Sequence, residues 1–281
     1  MLAIALSLLA AASNSAATIL QRRTARSVPS EDRFRVRLLR ELLPQPAWLA
    51  GIGCLILGFV FQAAALSQSG LSLVQPLLAA ELPLTLLLAS RVFHRSMDRH
   101  AWIGAIGVGC GITTVLLALQ PRIGEEIPSP ARWTGALLVI AVVVTALLVA
   151  GRSGGSAGAA LMGAAAGAGF GATAALMKGA SHFLPDGVGA VLAHWQVYGM
   201  AGAGLISLFL LQNALQSGTL VAAQPALTTA DPIVGVLLGI ALFGDHVRQG
   251  WWLLLAVAGF AAMTLASVEL SRSGAMSRVS D

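Results

Sequence analysis

Two stretches of this chain place groups that bind cations among residues that do not. They are QSGLSLVQPLLAAELP, 68–83, and QSGTLVAAQPALTTADP, 216–232. Each runs Gln-Ser-Gly, then Gln-Pro, then an acid with a closing proline, so Gln75 and Gln224, Pro76 and Pro225, Glu81 and Asp231, and Pro83 and Pro232 are counterparts. A carboxylate can take up and release a proton or ligate another cation. Proline removes a backbone donor, which on a helix frees the carbonyl four residues earlier: Ala79 for Pro83, Thr228 for Pro232, Ser72 for Pro76 and Val221 for Pro225. Each stretch therefore offers a carboxylate, an amide side chain and backbone oxygens within about two helical turns. Such hard-oxygen surroundings suit protons or weakly dehydrated cations. The structural alternatives are a neutral acid bonded to a neighbouring helix, and a kink needed only for packing.

The medium around these groups decides what they mean. Of the 281 residues 57% are hydrophobic and 10% charged, whereas soluble domains carry roughly 25% charged residues. A membrane-spanning helix needs about 20 apolar residues, and nine such runs are present, near 2–20, 47–66, 71–90, 101–119, 132–150, 157–177, 190–211, 218–243 and 250–269. An all-α integral membrane protein follows, localised to the cytoplasmic membrane by the absence of organelle signals. Glu81 and Asp231 then fall near the bilayer midplane, where a carboxylate costs at least about 2.5–3.5 kcal/mol and usually faces a cavity or a partner.

The first apolar run has no positive charge before it and an arginine-rich segment, QRRTARSVPSEDRFRVRLLR, after it. A secretory signal has the reverse order, so the run reads as a retained span starting outside. With the N-terminus outside and the C-terminus inside, thirteen of the seventeen Lys and Arg residues lie on the cytoplasmic side, as the positive-inside rule requires. The net charge of +5 then reflects topology and membrane lipids, and does not call for nucleic acid. Around residues 33–42 the arginines and the apolar residues separate onto two faces, the pattern of a short helix on the anionic leaflet; a solvated loop explains it equally.

The paired motifs lie in spans three and eight, five helices apart. An odd offset makes the two halves antiparallel, an inverted-topology repeat of five plus four spans. Residues 1–151, with a basic cytoplasmic loop 21–46, form the first half; 152–281, with a short cytoplasmic tail, form the second. Inverted repeats around a midplane site are a signature of secondary transporters. The five-helix repeat, the acid-proline element in the third helix of each half and the Gly/Ala-rich fourth helix resemble the drug/metabolite transporter (DMT) superfamily, including its EamA-like members. Nine spans with an outside N-terminus are most similar to its NIPA-like magnesium transporter branch, although many metabolite-transporting members have ten. The resemblance implies a central cavity and alternating access. The substrate would be a small metabolite or drug-like compound, exchanged for protons and moved outward, or alternatively magnesium or another divalent cation. A non-transporting membrane scaffold is the reading from another class, and a homodimer is compatible with each.

Further polar candidates are Asn14 in span one, Gln62 in span two, and His194 and Gln196 in span seven, with His194 read as interfacial. Lys178, at the end of span six, either attracts an anionic substrate, pairs with Asp231 or extends to the headgroups. Gly163, Gly167 and Gly171, like Gly107 and Gly111, recur every four residues and let helices approach closely. Cys54 and Cys110 lack CxxC spacing and read as packing residues. No HExxH, GxSxG or GxxxxGK[ST] sequence is present, so neither an enzyme nor a cofactor is expected, and no metal ligand set is assigned.

Overall fold

Long apolar runs become helices here because hydrocarbon offers the backbone no partner, leaving each segment to satisfy its own N–H and C=O groups. The computed structural model describes residues 1–25, 45–92, 97–124, 127–152, 154–217 and 220–272. The expected surface helix near 33–42, most of the basic loop and the C-terminal tail lie outside the described residues. In chain order the helices are α1 (Leu2–Ala25), α2 (Pro46–Gln68), α3 (Leu71–Leu78), α4 (Glu81–Val92), α5 (Arg99–Leu119), α6 (Pro130–Gly151), α7 (Gly155–Ser181), α8 (Val188–Ala193), α9 (Trp195–Ser217), α10 (Leu220–Phe243) and α11 (Trp252–Arg272). Among the described residues there are nine segments long and apolar enough to cross a membrane, with α3 and α4 together forming the third. The chain is a multi-pass helical membrane protein.

Local chemistry fixes the helix ends. Proline stands at the start of α2 and α6, where its missing N–H would have had no helical partner. The Asp98 carboxylate accepts from the Ala101 N–H at 2.8 Å to open α5, and Ser129 Oγ accepts from the Arg132 N–H at 3.3 Å to open α6, both as N-caps. Two expectations shift in detail. The third span is interrupted at Ala79 and Ala80 rather than running through. The seventh begins at Trp195, after a short 3-10 turn, Leu184–Asp186, and the one-and-a-half-turn α8.

Packing follows a regular pattern. Helix α1 packs on α2, and α7 on α9; α1 also packs on α3 and α4, and α7 on α10. Helix α5 lies along α11, and α3 crosses α10. Glycines allow the closest of these approaches. A Cβ on Gly167 would stand 2.6 Å from the Leu227 carbonyl oxygen of α10, and one on Gly171 would stand 2.9 Å from that of Asp231. Gly163 meets the backbone at Ala223 in the same seam. Gly107 and Gly111 do the same toward α11, where a Cβ would come within 2.7 Å of the Ala266 Cβ and 2.5 Å of the Met263 Cγ. Cys110 is exposed, off the α5 face formed by Gly104, Val108, Gly111, Ile112 and Val115. It is therefore a lipid-side residue rather than a packing one, because the inward arc of α5 is already filled. Cys54 is half-buried.

Replacing Gly167 by Val should lower the melting temperature in detergent by several degrees, since overpacking against backbone costs roughly 1–3 kcal/mol. Gly135→Ala is the control: a Cβ there meets nothing within 4 Å, and the helix gains about 1 kcal/mol of propensity. Equal melting temperatures for the two variants would contradict the close α7–α10 approach.

Candidate functional site

Glu81 is the first residue of α4, placed there by the break in span three. Pro83 has no N–H to give Ala79, and the Ala79 carbonyl instead accepts from the Leu82 N–H at 3.4 Å. That carbonyl, expected to be free, is taken up by tightening of the chain at the break. The Glu81 carbonyl accepts two hydroxyls, Ser15 Oγ of α1 at 3.0 Å and Thr85 Oγ1 at 2.8 Å. Asn14, beside Ser15, donates through Nδ2 to Glu81 Oε2 at 3.3 Å. Helix α1 thus pins both the backbone and the side chain of the residue at the break.

Asp231 approaches from the other half, in the middle of α10. Its Oδ1 is buried and has no hydrogen-bond partner. Gln75 of α3 is 2% exposed, and neither its Oε1 nor its Nε2 has a partner. Its side chain lies on Gly235, where a Cβ would come 2.9 Å from the Gln75 Cβ. Gly235 is one helical turn beyond Asp231. The α3–α10 crossing therefore collects three buried polar atoms whose bonding capacity the chain leaves unused. Each such atom costs about 1–3 kcal/mol unless something else meets it.

The other candidates are distributed differently. Gln224 is half-buried whereas Gln75 is fully buried, so the two glutamines do not occupy equivalent surroundings. In α10, which remains continuous through Pro225 and Pro232, the Thr228 and Thr229 hydroxyls donate to the carbonyls of Gln224 and Pro225, each at 2.9 Å. Gln62 is half-buried. His194 follows α8, with Nδ1 2.7 Å from the Ala190 carbonyl and its ring stacked on Phe183 at 3.4 Å between centroids.

Lys178 neither reaches outward nor bonds to Asp231. Its side chain is buried, and Nζ donates to the carbonyls of Leu66 at 3.0 Å and Ser69 at 2.8 Å. These lie at the C-terminal end of α2, where helical carbonyls lack partners and a cation is favoured.

Asp245, just beyond α10, did not stand out in the sequence. It is 3% exposed and closes the same end of the molecule. Its Oδ2 accepts the Ser72 N–H at 3.0 Å and the Ser72 hydroxyl at 2.7 Å, while Oδ1 accepts the Gly124 N–H at 3.0 Å. Gly70 and Gly239 make room, since a Cβ on either would fall 2.6 Å from Oδ2. The neighbouring chain reinforces the joint, with Arg122 and His246 exchanging backbone bonds at 2.9 and 3.1 Å. An acid after a Gly at the end of a span looks like any loop carboxylate, and only the tertiary approach of three separate segments distinguishes it.

A protein of Corynebacterium glutamicum described as uncharacterized is 30% identical to this chain over 282 aligned residues, covering 98% of this chain and 96% of the relative. The two belong to one family. The likeness runs through both halves of this family member rather than being confined to one motif. No family model matches the chain. No solved structure matches it.

Asp245→Ala should strand three buried donors and destabilise the protein by on the order of 3 kcal/mol, read as a fall in melting temperature. Asp245→Asn, which keeps one acceptor oxygen, should fall between Ala and wild type. Asp186→Ala, in the exposed turn before α8, should change stability by less than about 0.5 kcal/mol. A melting temperature for Asp245→Ala equal to that of Asp186→Ala would mean that the joint does not hold this end together.

Proposed function

We propose that this protein is a secondary transporter, moving a small metabolite or drug-like compound outward in exchange for protons by alternating access. Two carboxylates within the apolar spans carry this reading: Glu81 at the break in span three, held by Asn14 of α1, and Asp231 with its unpartnered Oδ1 on α10, near the unpartnered Gln75. Paired acids at membrane depth are unnecessary for a scaffold. They are what a carrier needs to couple its two faces to a cation.

The packing pattern supports an inverted repeat. If spans one to four correspond to spans six to nine, the α1–α2 contact corresponds to α7–α9, and the contacts of α1 with α3 and α4 correspond to α7–α10. Helices α5 and α11 become counterparts packed on each other, as do the third span and α10. In this reading Glu81 and Asp231 face one another across the pseudo-two-fold axis, and the two halves can exchange roles between inward- and outward-facing states. Membrane lipids and protons are then partners, with the N-terminus outside and the C-terminus inside.

The decisive measurement is proton movement in vesicles containing the purified protein, with organic solutes and magnesium offered in turn. An organic solute should drive a pH change in wild type that is lost in Glu81→Gln and Asp231→Asn, while both variants keep a cooperative thermal melt. Wild-type coupling in a folded Asp231→Asn protein would remove Asp231 from the mechanism. A response to magnesium alone, blocked by Glu81→Gln, would move the assignment to divalent cation transport. A stoichiometric co-purifying protein with no flux of any solute would favour the scaffold.

A further inference from the structure

A second polar site lies away from the paired acids, at the end of the molecule closed by Asp245. A cavity of about 250 Å³ opens there, lined among others by Lys178, Gln196, Trp133, Phe243, Phe183 and His182. That is smaller than the roughly 300–1,000 Å³ of pockets for drug-sized molecules. Two of its walls are polar and deeply buried: Lys178 and Gln196 are each 8% exposed. Lys178 has three N–H donors, and two are held by the Leu66 and Ser69 carbonyls. Those carbonyls are neutral and leave the ammonium charge in place. The Asp245 oxygens are bonded to Ser72 and Gly124. Gln196 Oε1 is buried with no partner. Gly179 lets Trp133 and Gln196 close in on this wall, since a Cβ there would come 2.8 Å from the Trp133 ring and 3.3 Å from the Gln196 Cγ. The remaining lining mixes aliphatic residues such as Leu66 and Ile123 and the polar Ser67 and His182 with aromatic rings, among which Trp133 is set edge-on to Trp195 and Phe243 at 5.3 and 5.9 Å between ring centroids.

We infer that this cavity binds a small organic carboxylate that also carries an N–H or O–H donor. The carboxylate would take the third proton of Lys178 in a charge-assisted bond, the donor would satisfy Gln196 Oε1, and an apolar remainder would lie against Trp133 and Phe243. A bare inorganic anion fits worse, because it would leave Gln196 Oε1 without a donor and the apolar part of the lining, Leu66, Ile123, Trp133 and Phe243, without a partner. As a binding site the cavity stands without transport; as the place where the substrate docks, it rests on the transporter reading.

Calorimetric titration of the full-length protein in detergent tests this with L-leucine, L-alanine, L-lactate, isovalerate, isoamylamine and inorganic phosphate. Saturable binding is expected for at least one of the first three. Isovalerate, a carboxylate without the extra donor, should bind at least tenfold more weakly than leucine, and isoamylamine, which lacks the carboxylate, should not bind. Lys178→Gln should abolish binding and Lys178→Arg should retain it. Gln196→Leu should weaken leucine at least tenfold while leaving isovalerate unchanged. Should Lys178→Gln fail to fold, Ile127→Trp at the exposed edge of the cavity blocks it without touching Lys178 and should also abolish binding. No binding by leucine, alanine or lactate, isoamylamine binding as well as leucine, tighter binding of phosphate, or undiminished binding in a folded Lys178→Gln protein would each overturn the inference. Binding in wild type without flux in vesicles would keep the site and remove the transport reading. Flux of another solute without binding here would do the reverse.

Discussion

Hydrocarbon supplies no hydrogen bonds, so every polar group at membrane depth must be met from within the chain. The interruption of the third span at Ala79 adds helix ends to those where α2 gives way to α3, each with donors or acceptors left over. The chain meets most of them individually. Leu82 takes the Ala79 carbonyl, Ser15 and Thr85 take the Glu81 carbonyl, Asp245 takes the Ser72 N–H near the start of α3, and Lys178 takes the last carbonyls of α2. Against this thorough satisfaction, the unused atoms of Gln75, Asp231, Gln196 and Ser267 stand out among the described residues.

The two acid-proline elements share a motif and differ in structure. Span three breaks into α3 and α4, whereas α10 stays continuous through both prolines. Spacing accounts for part of this. In the first copy the acid precedes its proline by two positions, so a residue separates Glu81 from Pro83 and α4 can begin on the acid itself. In the second copy Asp231 and Pro232 are adjacent, and the Thr228 and Thr229 hydroxyls bond back into the preceding turn. Thr229 also meets Thr264 of α11 at 3.0 Å, which ties this stretch to a neighbour and helps keep it helical. Two similar sequences thus yield one pinned, broken helix and one continuous one.

The nine spans were legible because apolar length alone decides them, and the acids because a carboxylate within such a run is conspicuous. Asn14 could be singled out for the same reason, but its partner could not: the bond to Glu81 depends on the rotation of α1 against α4, which periodicity does not set. Lys178 shows the limit more sharply. Lysines near span ends ordinarily reach for headgroups, and only the nearness of the α2 terminus turns this one inward. Asp245 was invisible because its role is to join α3, the loop after α5 and the end of α10, segments that have no neighbourhood in the sequence.

The position of Lys178 links the closed end to the ligand chemistry in the transport reading. Opening that end would separate Ser72 from Asp245, or α2 from Lys178, and hydrogen bonds to charged groups are worth about 1.5–3 kcal/mol each. An opening of this kind needs a compensating interaction available only when a solute is present. In the transport reading a carboxylate that takes the third Lys178 proton offers such an interaction, a charge-assisted bond made beside the bonds to the Leu66 and Ser69 carbonyls rather than in place of them.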